Sequence, residues 1–282
     1  MQRKKKNIVN NNLKIAITFC VLVFFLIIIS LFFKVAAIFQ NSRFDGAHSF
    51  NLVIYDQKNA LKRNEVISFS PDKEEIAILD LVGDIKYTEV GKTLEIPVDG
   101  LIGVENEDFY QIGKGKALDK FFGEIVFRKK NIKTDLTIID LAKLWFFTRS
   151  VPEGMIGYKQ FSINSNDLES SESLIDKIAN QYFNDNSIFQ EKYSIQIVNG
   201  TDVFGFGNRL ARLVTNIGGN VVSVSSSDKV LENSEIIYSG NNSYTAKRLN
   251  KILNFKISKA KDLQSMDIII KIGKDKLSSQ IF

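Results

Sequence analysis

The sequence predicts an α/β protein: an N-terminal transmembrane helix followed by two extracytoplasmic α/β domains. Three observations carry this. Residues 15–33, IAITFCVLVFFLIIISLFF, contain no charge, and Thr18 and Ser30 are the polar members. At ~1.5 Å per residue a helix of that length matches the hydrocarbon core of a bilayer. From Phe50 the pattern turns to β-rich runs and then to one strongly apolar helical segment. From Tyr193 strands and helices alternate, the mark of a compact α/β layer.

The segment before the apolar run fixes its orientation. Residues 1–14 form a basic tail with Arg3, Lys4, Lys5, Lys6 and Lys14 and no acid, against Lys34 and Arg43 beyond the run. That asymmetry predicts a cytoplasmic N-terminus. The expected span is 15–38. A secretory signal has an apolar region of ~7–15 residues ending at a small-residue cleavage site. This run is longer, and Val35-Ala36-Ala37 follows a lysine, so an uncleaved signal anchor of a single-pass cell-membrane protein is expected. With the tail set aside, 32 basic and 32 acidic residues remain. The basic excess therefore faces lipid headgroups, and nucleic acid is excluded as a partner. Cys20, the one cysteine, lies in the apolar run, and His48 is the one histidine. No disulfide, thiolate nucleophile or Cys/His zinc site can be assembled in the rest of the chain, and a lone histidine there reads as solvated.

The outer part opens with a short stalk, 35–50. FNLVIYD, VISFS and EIAILDLVG follow as strands at hairpin or meander spacing, with Ser70-Pro71-Asp72-Lys73 as a turn. Residues 88–98 and VDGLIGVEN continue in short strands and turns. A short helix is expected at 116–122 and a longer one at 135–149, capped by Thr134 or Asp135 and stopped before Pro152. The longer one is apolar nearly all round (Leu136, Ile139, Leu141, Leu144, Trp145, Phe147), which predicts a buried helix. Residues 50–161 form the first outer domain. The polar stretch SINSNDLESSE at 162–172 reads as a linker, and 174–189 as an amphipathic helix, so that 162–192 connects to a second domain at 193–282.

In that second domain YSIQIV is a strand and Asn199-Gly200-Thr201-Asp202 a turn. Phe206, Leu210, Leu213, Val214 and Ile217 fall at i, i+4, i+7, i+8 and i+11, one face of a helix, with Gly218 and Gly219 at its exit. Strands at 220–224 and 235–238, a helix capped by Ser243, a short strand near Phe255 and a strand at 267–272 complete it. Gly200, Gly205 and Gly207 sit between a strand and a helix, where phosphate-binding loops occur. Their spacing fits neither a dinucleotide fingerprint nor a Walker loop, so tight turns and close packing are expected of them. Asn199-Gly-Thr and Asn241-Asn-Ser fit a glycosylation pattern that is common by chance.

Residues 193–275 resemble the LytR C-terminal domain family of bacterial cell-envelope proteins. IQIVNGT, FGFG, a helix opening at Gly207-Asn208-Arg209-Leu210, GGNVVSVSSSD, SEIIYSG, a second helix and MDIIIKIGKD follow in order. The resemblance implies an accessory module without catalytic residues. The preceding domain resembles, in degenerate form, the LytR–CpsA–Psr enzymes, which transfer glycopolymers from polyprenyl-pyrophosphate carriers. NLVIYD ends in Asp56, Arg63-Asn64-Glu65 stands at that family's Arg-x-Asp segment, and Asp80-Leu81-Val82-Gly83-Asp84 at its Ser-Ile-Pro-Arg-Asp segment. Glycine replaces the arginine there, and a pyrophosphate needs guanidinium donors in a bidentate array. The resemblance therefore implies a relative without activity, with Arg63 and Asp84 as remnants and no catalytic, cofactor or metal site. The expected function is non-catalytic binding or scaffolding in envelope biogenesis, with the bilayer, wall polymer, lipid-linked glycan or another envelope protein as partner. The alternatives are a transferase on polyprenyl-pyrophosphate-linked glycopolymer and a transmembrane interaction subunit of an envelope complex. Trp145 and its phenylalanines read as core, with an isoprenoid groove as the alternative.

Overall fold

The computed structural model describes residues 3–58, 63–83, 85–105, 116–128, 132–162, 168–241, 243–263 and 265–277. The chain divides into two compact units, residues 1–43 and 44–282. The first is helix α1 (Arg3–Gln40). Its apolar side chains, Phe19, Phe24, Leu26 and Phe32 among them, are exposed around the whole circumference. Thr18 Oγ1 donates to the Lys14 carbonyl at 2.9 Å, which satisfies a hydroxyl in an apolar run. Among the described residues this is the one helix long and apolar enough to cross a membrane.

The second unit holds two mixed sheets. The first is built on an antiparallel meander of β1 (Phe50–Asp56), β2 (Arg63–Ser70) and β3 (Glu75–Val82). Strand β4 (Gly100–Val104) lies parallel to β1 and carries β5 (Lys133–Thr134) antiparallel at its edge. Strand β6 (Ile156–Ser162) pairs parallel with β3, giving the order β5-β4-β1-β2-β3-β6. Both faces are covered, which is why its strands read as near-continuous apolar runs. One face turns Leu52, Ile54, Ile67, Phe69, Ile78 and Ile102 toward α3 (Lys116–Arg128) and α4 (Ile138–Ser150). The other turns Val53, Val66, Leu79 and Leu81 toward α2 (Val90–Leu94) and α5 (Leu168–Tyr182).

The second sheet runs β10-β9-β11-β7-β8. Its strands are β7 (Ser194–Asn199), β8 (Asn220–Ser226), β9 (Glu235–Tyr238), β10 (Lys256–Lys259) and β11 (Ile268–Ile272). All its pairings are parallel except β11 with β9. Helices α7 (Phe206–Asn216) and α8 (Tyr244–Leu253) bury Leu210, Leu213, Leu249 and Leu253 against Ile195, Ile197, Ile268 and Ile270. The short α6 (Asn186–Glu191) precedes it, capped by Asp185.

Several expectations change. The stalk at 35–50 is mostly ordered structure: α1 runs to Gln40, and Phe44 and Phe50 are buried in the first core. Residues 90–94 are helical because Val90 and Leu94, one turn apart, both bury. Helix α3 continues past 122 to Arg128, since Ile125 extends the apolar face of Phe121 and Phe122. Helix α4 is capped neither by Thr134 nor by Asp135. Thr137 forms a capping box with Asp140, while Thr134 and Asp135 bond to Leu101. Nor is α4 buried all round: Ile138 and Phe146 are 52% and 62% exposed. Helix α5 starts at Leu168 inside the expected linker, of which 163–167 lie outside the described residues, and Asp185 ends the amphipathic run to start α6. His48 is stacked on Tyr244, ring centroids 4.3 Å apart, with Nδ1 2.6 Å from Asp45 Oδ2.

Candidate functional site

The sequence singled out Arg63 and Asp84. Arg63 opens β2 opposite Val82, and its side chain lies outside the described residues, as does Asp84 altogether. The strand ends between them carry buried acids. Glu65 and Asp80 face each other across β2 and β3, both fully buried, on the face that carries Ile67 and Ile78. Asp56, also buried, ends β1, where its Oδ1 accepts from the Lys58 N–H at 2.8 Å. Tyr158 on the neighbouring β6 donates its hydroxyl to Asp80 Oδ2 at 2.9 Å. Among the described residues no three metal-ligating side chains converge.

Phosphoryl transfer at these strand ends needs positioned positive charge and room for a carrier. Aromatic rings occupy the layer between the sheet and α3–α4. Phe44 packs 5.3 Å from Phe50 and 6.2 Å from Phe147, and Phe69 packs 6.0 Å from Phe122. This is a packed core; of the α4 aromatics read as core from sequence, Trp145 and Phe147 pack against it half-buried and Phe146 stands exposed.

Three arginines of the second layer, Arg248, Arg212 and Arg209, stand in ion pairs. Arg248 on α8 is buried and makes a bidentate pair with Asp99, Nη1–Oδ1 2.7 Å and Nη2–Oδ2 2.8 Å; its Nε stands 3.7 Å from Asp185 Oδ2. Nη2 also donates to the Ser49 carbonyl. Burial opposes the guanidinium charge, and Asp99 more than offsets it, so Arg248 is held above its ordinary value. Asp185 is raised as well, by burial, despite the Tyr244 hydroxyl at 2.8 Å and Arg248. Arg212 on α7 stands 3.0 Å from Glu95 and 3.1 Å from Asp176, with Arg209 3.6 Å from Glu95. Burial nonetheless raises Glu95, outweighing the lowering by Arg212 and Arg209. Asn216 completes this seam by donating to the Leu94 and Glu95 carbonyls. Asp99 and Glu95 belong to the first sheet's layer and the three arginines to the second, so the cations fasten one layer to the other. Sequence reading passed over them. The available signal was Arg248 on the same helical face as Thr245, Ala246 and Leu249, since a charge in a buried stripe demands a partner.

One further concavity lies at the carboxyl ends of the parallel strands β7 and β8, where ligands of open α/β sheets gather. It is a cleft of about 320 Å³, lined by Asn199, Thr201, Asp202, Asn208, Ser225 and Ser226 among others. Asn199 organises the loop: its amide donates to the Val203 carbonyl, and its Oδ1 accepts from the N–H and hydroxyl of Thr201. That loop leaves the Phe204 ring fully exposed at the rim. The glycines behave as turn and packing residues. Gly205 caps α7 at φ +78, and a Cβ on Gly207 would stand 3.1 Å from Val224 Cγ1.

Residues 192–275 match the model of a family described as LytR cell envelope-related transcriptional attenuator. This bears out the resemblance of 193–275 to the LytR C-terminal family and gives the chain a cell-envelope association. Among curated proteins none matches. Solved structures similar to the chain include the transcriptional regulator yvhJ from Bacillus subtilis, 12% identical over 46% of this chain and 96% of that one, TM-score 0.31. Lin1025 protein from Listeria innocua is 10% identical over 46% and 98%, TM-score 0.33. B. subtilis TagT is 12% identical over 48% and 92%, TM-score 0.32. These are distant likenesses, each spanning less than half of this chain.

Proposed function

We propose that the protein is a membrane-anchored component of the cell envelope that binds wall polymer and does not transform it. Helix α1 is the single-pass anchor, with the basic tail in the cytoplasm and residues 44–282 outside. The domain at 50–161 is a degenerate relative of the LytR–CpsA–Psr enzymes, joined through 162–192 to the LytR C-terminal module at 193–282. One observation carries the non-catalytic reading. Among the described residues, Arg209, Arg212 and Arg248 are engaged with carboxylates in the seam between the layers, and Arg149 stands over the Trp145 ring and 4.0 Å from Asp119.

The cleft at β7 and β8 supplies the chemistry a polyhydroxylated polymer needs. Amide and hydroxyl groups line it, and the exposed Phe204 ring offers a face on which the C–H side of a sugar can stack. The test has two arms on the full-length protein in detergent micelles. Incubation with a polyprenyl pyrophosphate and Mg²⁺ is expected to release no phosphate. Release that Arg63→Ala or Asp84→Asn abolishes would overturn the reading in favour of the transferase, which would draw on Asp56, Glu65, Asp80 and Tyr158. Sedimentation with purified wall glycopolymer is expected to retain the protein, and Phe204→Ala to weaken retention about 10-fold, as loss of one stacked ring of ~1–1.5 kcal/mol predicts. Equal retention of the two proteins would remove the cleft from the account.

A further inference from the structure

The apolar residues around the whole of α4 pose a physical problem once the helix is seated. Its inner side, Leu141 and Leu144, is buried in the first core. Its outer side repeats the pattern, with Ile138, Ala142, Trp145, Phe146 and Arg149 at i, i+4, i+7, i+8 and i+11, a second helical stripe on which, among the described residues, Ile138 and Phe146 stand exposed and Trp145 half-buried. Phe127 at the end of α3 extends it. Its ring lies 4.9 Å from Trp145, Phe146 lies 4.9 Å from Trp145 on the other side, and Phe127 is 68% exposed. Arg149 places its guanidinium 5.0 Å from the centre of the Trp145 ring. Two exposed rings flanking a half-buried indole are what a partner surface presents.

The chemistry around the strip specifies a lipid surface. Indole beside arginine is the pairing found at the headgroup level of bilayers, where the ring is amphipathic and the cation meets phosphate. The sequence continuing from Phe127, RKKNIK, holds four basic residues and no acid, and a basic run that follows an apolar residue in sequence suits anionic headgroups. A bilayer is at hand, because only residues 41–43 separate the apolar helix from Phe44.

Resting on the reading of α1 as a membrane anchor, we propose that Phe127, Trp145 and Phe146 form a membrane-contact strip that enters the headgroup region of the bilayer α1 spans. Trp145 is the chain's one tryptophan, so its emission reports on the strip alone. Full-length protein is reconstituted into vesicles of phosphatidylcholine and phosphatidylglycerol, with or without phosphatidylcholine brominated near the headgroup end of its chains. Emission is expected to be about halved by the brominated lipid, since interfacial side chains sit ~5–10 Å into that boundary. Phe127→Ser/Phe146→Ser, two exposed positions whose replacement leaves the core intact, is expected to restore most of it.

Alkaline carbonate extraction separates the two possible failures. Protein stripped from the vesicles refutes the anchor itself. Protein that stays embedded while Trp145 remains unquenched refutes the strip. So does shielding of Trp145 from acrylamide without quenching by bromine, which would mean that protein and not lipid covers it, and so does quenching that the double variant leaves unchanged.

Discussion

Replacing Arg248 by methionine tests whether the two layers are held together by a few buried charges. The guanidinium is 7% exposed and bonds both oxygens of Asp99, itself 6% exposed, with the 4% exposed Asp185 alongside. Methionine keeps the length of the stem and removes the charge, leaving two buried carboxylates facing no cation. Breaking a buried pair in this way costs roughly 3–5 kcal/mol. For a body of this size that lowers the melting temperature by roughly 6–20 °C. Full-length protein in micelles is unfolded in urea and followed by Trp145 emission, which reports the first layer, and by far-ultraviolet circular dichroism. The double variant Arg248→Met/Asp99→Asn removes the orphaned charge with its partner, so it is expected to lie well short of the summed single losses, by roughly 2 kcal/mol. A loss under about 1 kcal/mol for Arg248→Met, or strict additivity in the cycle, would refute a lock made of this pair.

Two further outcomes follow from the same seam and from the cleft loop. Glu95 has its folded-state value raised above the ordinary 4.5 by burial. Its contribution is therefore fully present below pH ~4.5 and is lost as pH rises through the raised value. Glu95→Gln has no charge to bury, so its melting temperature should gain on the native protein between pH ~4 and 7. A native protein that gains on the variant over that range would show that the pairing with Arg212 outweighs burial. Gly207→Ala puts a methyl 3.1 Å from Val224 Cγ1 and 3.3 Å from Asn199 Cβ and should cost roughly 1–3 kcal/mol. Gly205→Ala finds open space but a φ of +78, and should cost about 1 kcal/mol. A Gly207→Ala variant as stable as the native protein would show that β8 yields freely to the loop.

Local periodicity carried the fold where each element makes its own contacts. The stripe at 206, 210, 213, 214 and 217 gives α7, and the strand runs of the second sheet appear close to where their alternation puts them. Periodicity failed where a partner distant in sequence decides. Asp135 looks like a cap from its neighbours, but its oxygen serves the Leu101 N–H, 34 residues away. Residues 156–162 gave no strand signal in the sequence; they pair with β3 across the chain and become its edge. The site was legible in the same proportion. Asp56 and the Arg63 segment could be placed at strand ends from sequence, whereas the Arg248–Asp99 pair joins positions 149 apart that no window contains. The apolar circumference of α4 was visible, but which half faces the core is settled only by where α3 and the sheet lie.

The use of arginine connects the seam to the proposed function. A buried guanidinium held in a fork by Asp99 cannot also cradle a pyrophosphate, because its donors point into fixed bonds. Residues 44–282 form one compact unit, and its two layers meet through these pairs. Loosening the seam to free an arginine would expose Asp99 and Asp185 and cost the body a large part of a stability of about 5–15 kcal/mol. The same cations that fasten the LytR C-terminal module to its neighbour are thus withheld from Asp56, Glu65 and Asp80.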